Sequence, residues 1–298
     1  MPGIKATDVK KLRDISGAGM MDCKKALAET DGNIDAAVDY LRKKGLSASA
    51  NKAGRVAAEG VVLARSEGDT GIVVEVNSET DFASKNETFQ SFVNNIADIV
   101  SRENPADLNA LTALPFDSDH NVGDALSQLV ATVGEKMNIR RFSRVQVSGG
   151  VVATYVHGAG KIAVLIGIEA KDTDAMRELA KHIAMHVAAA NPQHIGRDEV
   201  PADKIERERA VLSDRAAASG KPENIIAKIV DGQLNKFYQE ICLTDQAFVM
   251  DTDRSVAKVL AEAQSDARIV AMERFQLGEG IEKAEEDFAA EVAAQING

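Results

Sequence analysis

The sequence predicts an α+β protein, in which a helical N-terminal bundle precedes two duplicated α+β lobes with antiparallel sheets. Three patterns predict this class: helically spaced apolar residues in the first 45 positions, two strand–glycine–strand patterns that lie 90 residues apart, and long charged helices after them. With 298 residues and 45% hydrophobic content, the chain is long enough to form several hydrophobic cores.

Residues 1–55 predict a head of three short helices and a linker. Thr7 is expected to cap the first helix, residues 17–19 to separate it from the second, and Gly45 to end the third. Residues 46–58 are rich in Ser, Ala and Lys, which is typical of a linker. The three helices and their Gly-Met-Met turn resemble a ubiquitin-associated-type bundle, and so small a core suits a docking module.

An internal repeat predicts the two lobes. Residues 61–76 match residues 151–166 in their alternating apolar positions and turn glycines, and an apolar helix follows each copy. Chance similarity of two strand pairs is the alternative, but the agreement of turn, alternation and helix favours duplication. We assign residues 56–138 to the first lobe and residues 139–200 and 238–277 to the second.

The remaining elements follow from composition and periodicity. An antiparallel helical hairpin is expected over residues 201–237, inserted in the second lobe, and it is suited to dimerise, to dock on a partner or to fold back onto its own sheet. The other expected elements are a loop-like insert over 102–120, a helix near 122–136, a strand over 140–147 that opens the second lobe, a helix near 255–264, a strand over 267–277, and a helix near 281–296 within a C-terminal module over 278–298.

The most informative local feature is Thr80-Asp81-Phe82, which follows the second strand of the first lobe. Ser84 and Glu87 have the spacing of a capping box and predict the start of the next helix. Phe82 lies outside both periodic patterns, so a phenylalanine beside a carboxylate is expected to insert into another protein. The alternative is that Asp81 caps the helix and Phe82 packs into the local core.

Charge and cysteine content limit the classes of partner. Residues 1–55 carry 11 Lys and Arg against 7 Asp and Glu, whereas the rest of the chain carries 24 against 39. So acidic a body argues against nucleic acid as a partner. Cys23 and Cys242 match no metal or disulfide spacing, and no apolar run is long enough to cross a bilayer. We therefore expect a cytoplasmic protein with no membrane partner.

No motif predicts an active site, a cofactor or a metal. Asp22 and Ile162 stand where two glycine-rich segments would need Gly and Ser or Thr to bind a nucleotide. His182 and His186 have the spacing of a zinc-binding helix but lack its glutamate. A zinc hydrolase that uses these two residues and His157 is the enzymatic alternative.

Several motifs together are typical of one known family, and they lie in residues 12–27, 75–82, 157–158, 182–186 and 278–283. These segments resemble bacterial elongation factor Ts, and the similarity runs over nearly the whole chain. Residues 102–120 and the last few residues fall outside it. The resemblance implies a guanine-nucleotide exchange factor that binds GDP-bound elongation factor Tu and performs no covalent chemistry.

The resemblance also implies roles for individual residues. Residues 80–83, here called the corner, would enter the GTPase domain and disturb the groups that support its magnesium ion; they are Thr80, Asp81, Phe82 and Ala83. Arg13, Met20 and Met21 would contact the same domain of the partner. His157 and Gly158 would contact a different domain of the partner. The helical hairpin would form a homodimer or a 2:2 complex, or dock on the partner.

Two positions depart from the family pattern. Ala83 stands where valine is common, which is expected to weaken packing slightly, and residues 159–161 alter the usual loop after Gly158. The rival to an exchange factor is a binding adaptor whose head captures peptides or ubiquitin-like folds. In that case deletion of residues 1–45 would abolish function, whereas Phe82→Ala would change little.

Overall fold

A computed structural model describes residues 4–16, 18–218 and 222–282, with the side chains of Asp14 and residues 46–50 left out. The helix expected near 281–296 lies outside the described residues, except for its first two positions. The described chain forms two compact units. One contains the residues up to Val62, Val74–Phe142 and those from Gln276 onward, and the other contains Leu63–Val73 and Ser143–Phe275. Mixed helices and antiparallel pairing agree with the predicted α+β class.

The head begins with three helices, α1 (Ala6–Ser16), α2 (Met20–Glu29) and α3 (Ile34–Lys52). Their buried core contains Leu12, Cys23, Ala26, Leu27 and Ala37. The expected cap at Thr7 is wrong, because α1 begins one residue earlier. The expected end at Gly45 is also wrong. Gly45 is buried against the backbone carbonyl of Ser127, so this glycine serves close packing and the helix continues to Lys52.

The first sheet has the order β1-β2-β3, formed by β1 (Glu59–Glu67), β2 (Thr70–Ser78) and β3 (Met137–Gln146). The strand expected to open the second lobe is β3, and its hydrogen-bonded neighbour is β2. Helices α4 (Asp81–Ser84), α5 (Glu87–Glu103), α6 (Leu108–Ala113) and α7 (Val122–Val133) connect β2 to β3.

The capping box expected at Ser84 and Glu87 is wrong. Asn86 caps α5, and its side chain accepts a hydrogen bond from the Thr88 amide at 2.8 Å. The apolar face of α5 is buried and includes Phe89, Phe92, Val93 and Ile96, which recur with helical spacing. The loop expected over 102–120 contains α6, and Gly134, with φ +88°, ends α7 earlier than expected.

The second sheet has the order β4-β5-β8, formed by β4 (Val151–His157), β5 (Ile162–Glu169) and β8 (Arg268–Gln276). Helix α8 (Asp174–Ala190) packs on the β4–β5 hairpin, and their shared core includes Val164, Ile166, Ile183 and Val187. A short pair, β6 (Ala247–Phe248) and β7 (Asp251–Ser255), precedes α11 (Val256–Ala263) and was not predicted.

The hairpin–helix repeat is visible in the backbone. The tip glycines Gly68 and Gly158 have nearly equal positive φ angles of 58° and 61°. Helices α5 and α8 each have 17 residues and end at a left-handed asparagine, Asn104 or Asn191. Shared turn and cap geometry therefore accompanies the sequence repeat.

Helices α9 (Ala202–Ala217) and α10 (Glu223–Ile241) form the expected helical hairpin, but its end at residue 237 is wrong, because α10 continues to Ile241 in the range expected for the second lobe. They pack on each other through a core of Leu212, Ala216, Val230 and Leu234. Two short 3₁₀ helices, Arg197–Glu199 and Leu243–Asp245, flank this pair along the chain. Within the residues described, no helix combines the length and apolar character needed to span a bilayer.

Candidate protein-docking site

The corner is a single helical turn set directly after β2. Thr80 has an extended backbone and caps α4, because its hydroxyl oxygen accepts a hydrogen bond from the Ala83 amide at 3.2 Å. The segment that lies outside both periodic patterns is therefore a one-turn helix. Asp81 is its first residue, and Thr80 rather than Asp81 is the cap.

Phe82 points away from the protein interior. Its side chain is 80% exposed, the largest exposed fraction of any large apolar side chain among the described residues. The neighbouring Ala83 and Ser84 are buried, so α4 packs through one face and presents Phe82 on the other. The alternative in which Phe82 packs into the local core is wrong.

Lys85 lies over the exposed surface of the corner. Its ammonium group is 2.7 Å from the Asp81 carboxylate and 5.7 Å from the centre of the Phe82 ring. Both charged side chains are well exposed, so this pair contributes little to stability. Phe82 is 80% exposed even with Lys85 beside it, so its ring remains accessible to a partner.

Hydrogen bonds hold the backbone of the corner in place. The Ser78 hydroxyl donates to the Thr80 carbonyl at 2.8 Å, and the Ser84 hydroxyl donates to the Asp81 carbonyl at 2.7 Å. The Glu135 carboxylate accepts from the amide and the hydroxyl of Thr80 at 2.9 and 2.8 Å. Glu135 is not predictable from the sequence, because it lies 55 residues from Thr80 and no local pattern connects the two.

Strand β2 also carries a fully buried carboxylate, Glu75. Burial acts to raise the pKa of Glu75, but its hydrogen bonds outweigh this effect and hold the pKa below its ordinary value. The donors are the backbone amide of Gly278 at 2.8 Å, Arg140 at 2.9 Å, Arg141 at 2.7 Å and Asn77 at 3.1 Å. Glu75 therefore ties β2 to β3 and to the turn after β8.

The predicted docking residues of the head are accessible. Arg13 is exposed on α1, and Met20 and Met21, at the start of α2, are 59% and 76% exposed. Ile15, which was not predicted, is exposed as well. The head thus presents apolar side chains beside a cation and belongs to the same compact unit as the corner.

His157 and Gly158 lie in the other unit, at the tip of the β4–β5 hairpin. His157 is exposed, and its Nδ1 lies 3.1 Å from the Tyr155 hydroxyl. Gly158, Ala159 and Gly160 all have positive φ angles, of 61°, 53° and 89°. The Lys161 amide closes this turn by donating to the His157 carbonyl at 3.1 Å.

Comparison with known proteins shows the family of this chain. Residues 79–279 match the family model described as Elongation factor TS. The chain is 51% identical over 298 residues to Elongation factor Ts of Syntrophotalea carbinolica, with 98% of each chain covered. It is 49% identical to that of Magnetococcus marinus, with 99% of each covered, and 50% identical to that of Paramagnetospirillum magneticum, with 99% of this chain and 98% of the relative covered. The chain belongs to the elongation factor Ts family.

The elongation factor Ts family model includes the corner and the β4–β5 tip, since both lie within residues 79–279. The alignments to the three relatives cover almost the whole chain. The membership therefore rests on both compact units.

The histidine pair of α8 does not form a zinc site. His186 is buried, its Nε2 lies 2.8 Å from the Gln246 side-chain oxygen, and its Nδ1 accepts from the Val249 amide at 3.1 Å. Burial lowers the pKa of His186. Both ring nitrogens are therefore occupied, and the zinc hydrolase alternative loses a required ligand. Among the described residues, no three His, Cys, Asp or Glu side chains are grouped suitably for a metal ion.

Proposed function

We propose that this chain is the guanine-nucleotide exchange factor of elongation factor Tu in the cytoplasm, and that the corner promotes GDP release during translation elongation. The observation that carries the proposal is Phe82, which is 80% exposed on a backbone held by hydrogen bonds. A large exposed apolar side chain on an ordered turn loses little conformational entropy when it enters a pocket.

Exchange requires a coupling free energy between two ligands of one GTPase. If this factor weakens GDP binding by some ratio, GDP weakens the binding of the factor by the same ratio. A thousandfold effect corresponds to about 4 kcal/mol. Burial of one phenylalanine supplies roughly 1.5–3 kcal/mol, so Phe82 alone is insufficient.

Contacts away from the corner supply the remaining free energy. The head contributes Arg13, Met20 and Met21, and the β4–β5 tip contributes His157 and Gly158. These residues are exposed, and they bring one cation and two flexible methionines to the partner surface. Binding energy from such contacts drives the distortion at the nucleotide site.

The target of the distortion is the magnesium ion of the GTPase. This ion neutralises the phosphates of the nucleotide, so its displacement leaves their charge uncompensated and loosens GDP. Asp81 assists by repulsion of nearby acidic groups or by accepting a hydrogen bond from displaced backbone. Ala83 is buried in this chain, so the change from the more common valine acts on packing inside the corner.

The remaining elements organise the complex. The head is a ubiquitin-associated-type docking module over residues 1–55, followed by the lobes over 56–138 and over 139–200 with 238–277, and by a C-terminal module over 278–298. The α9–α10 pair, which covers the hairpin predicted over 201–237 and extends to Ile241, forms a homodimer or a 2:2 complex, or docks on the partner. Val211 and Ile225 on these helices are exposed, which suits either contact.

The test measures the release of fluorescent GDP from purified elongation factor Tu at increasing concentrations of the factor. We expect a large acceleration in excess magnesium. The acceleration should be much smaller after magnesium is chelated, since the ion to be displaced is then already absent. No acceleration by the wild-type chain would refute the exchange function, and equal acceleration in both conditions would refute the magnesium mechanism.

A further inference from the structure

The corner is joined to the α7–β3 connection by a reciprocal set of hydrogen bonds, here called the clasp and formed by Glu79, Thr80, Glu135 and Lys136. The Glu135 carboxylate accepts from the Thr80 amide at 2.9 Å and from the Thr80 hydroxyl at 2.8 Å. In the opposite direction, the Glu79 carboxylate accepts from the Lys136 amide. Residues 79–80 and residues 135–136 thus form two pairs, and each pair accepts a hydrogen bond from a backbone amide of the other.

The clasp is itself held by the residues that follow α3. The Lys136 ammonium donates to the carbonyls of Ala53 and Arg55 at 2.7 and 2.6 Å. The Arg55 guanidinium donates to the Glu79 carboxylate at 3.3 Å. Charged groups take part in all of these bonds, and such bonds are stronger than those between neutral groups. The carboxylates of Glu79 and Glu135 are therefore held in one orientation and do not rotate freely in the solvent.

The hydrogen bonds of the Thr80 hydroxyl link the clasp to α4, the helical turn that carries Phe82. This hydroxyl donates to Glu135 and, through a lone pair, accepts from the Ala83 amide. A carboxylate is an acceptor only, so Glu135 directs the proton of Thr80 away from Ala83 and leaves a lone pair for the cap. A helix of one turn is not stable by itself, and α4 depends on this cap.

We propose that Glu135 is a positioning residue for nucleotide exchange, which holds Thr80 so that α4 presents Phe82 in the orientation needed for insertion. This inference rests on the proposed function of the corner. Glu135 acts in the free protein, before the partner is bound. Its role depends on the placement of its two hydrogen bonds to Thr80, which its negative charge strengthens.

Three variants separate geometry from charge. Glu135→Ala removes both bonds to Thr80. Glu135→Gln keeps both contacts to Thr80 without the charge: its oxygen accepts from the Thr80 amide, and its amide group donates to one lone pair of the Thr80 hydroxyl. The second lone pair remains for the Ala83 amide, so the cap is kept. Thr80→Val keeps the shape of the residue but removes the hydroxyl, and it serves as the second variant if Glu135→Ala folds poorly. Glu103→Ala is the matched control, because Glu103 is a surface carboxylate paired with Arg102 at the end of α5.

The first measurement is the rate of GDP release from elongation factor Tu, fitted to a maximal rate and a half-saturating concentration. We expect Glu135→Ala and Thr80→Val to lower the maximal rate by about tenfold, the loss expected when a strong hydrogen bond no longer orients the inserted group. The half-saturating concentration should change less than about twofold, because the remote docking contacts remain. Glu135→Gln should retain most of the maximal rate, and Glu103→Ala should match the wild type.

The second measurement is amide hydrogen exchange of residues 79–86 in the free protein. Glu135→Ala and Thr80→Val should raise exchange in this segment and leave the core of α5 protected. The positioning role would be overturned if both variants kept the wild-type maximal rate of GDP release. It would also be overturned if that rate fell while amide hydrogen exchange stayed unchanged. If the wild-type chain itself does not accelerate GDP release, the proposed function fails. The amide hydrogen-exchange data then still decide whether Glu135 orders the corner.

Discussion

Truncation of Phe82 to alanine tests the central contact with a magnitude that follows from its exposure. Full burial of a phenylalanine side chain is worth about 1.5–3 kcal/mol. Because Phe82 is 80% exposed in the free protein, insertion gains about four-fifths of that value, or roughly 1.2–2.4 kcal/mol. This gain corresponds to a loss of about 8- to 60-fold in the acceleration of GDP release by Phe82→Ala.

The assay is stopped-flow release of fluorescent GDP from elongation factor Tu, with thermal unfolding of each variant measured in parallel. Phe82→Ala should leave the unfolding temperature nearly unchanged, since the side chain buries little surface in the free protein. Met250→Ala is the matched control, because this methionine is 54% exposed on the β6–β7 turn in the other compact unit. Acceleration by Phe82→Ala within twofold of the wild type would refute the reasoning, and so would an equal loss in Met250→Ala.

The other predictions concern stability, measured by urea unfolding. Glu75→Ala should cost about 3 kcal/mol, because Arg140 and Arg141 lose a buried partner. The folded-state pKa of Glu75 lies below the ordinary 4.5, so its stabilisation is present above that pH and is lost as the pH falls through the folded-state value; Glu75→Gln should weaken this acid loss. Gly278→Ala should destabilise the chain by at least about 1–3 kcal/mol, since Gly278 has φ +69° and an added Cβ would lie 2.4 Å from a backbone oxygen. Gly232→Ala, in an open position of α10, should stabilise it by about 0.5–1 kcal/mol.

Periodic elements were predictable because their signal is local. The apolar helix expected after the second repeat copy is α8, and its helically spaced residues Met176, Leu179, Ile183 and Val187 are all buried. The hairpin tips at Gly68 and Gly158 were also predictable, because glycine readily adopts the positive φ that these turns require.

Helix ends were less predictable, because several nearby residues compete for one role. Ser84 and Glu87 fit the spacing of a capping box, yet Asn86 is the cap. Asparagine is as good a cap as serine, and the one-turn helix α4 already uses Ser84 in its last turn. Gly45 was expected to end α3, but its contact with α7 makes a small residue useful inside a continuous helix.

The sequence by itself determined the α+β class, the repeat, the family and the residues of the corner, because each depends on neighbouring positions or on a recognisable motif. Only the tertiary structure decided that Phe82 is exposed, that Thr80 caps its turn and that Glu135 holds Thr80. These facts depend on contacts such as the one between Thr80 and Glu135, which join side chains 55 residues apart. Such pairing follows from the path of the whole chain, and no local preference encodes it.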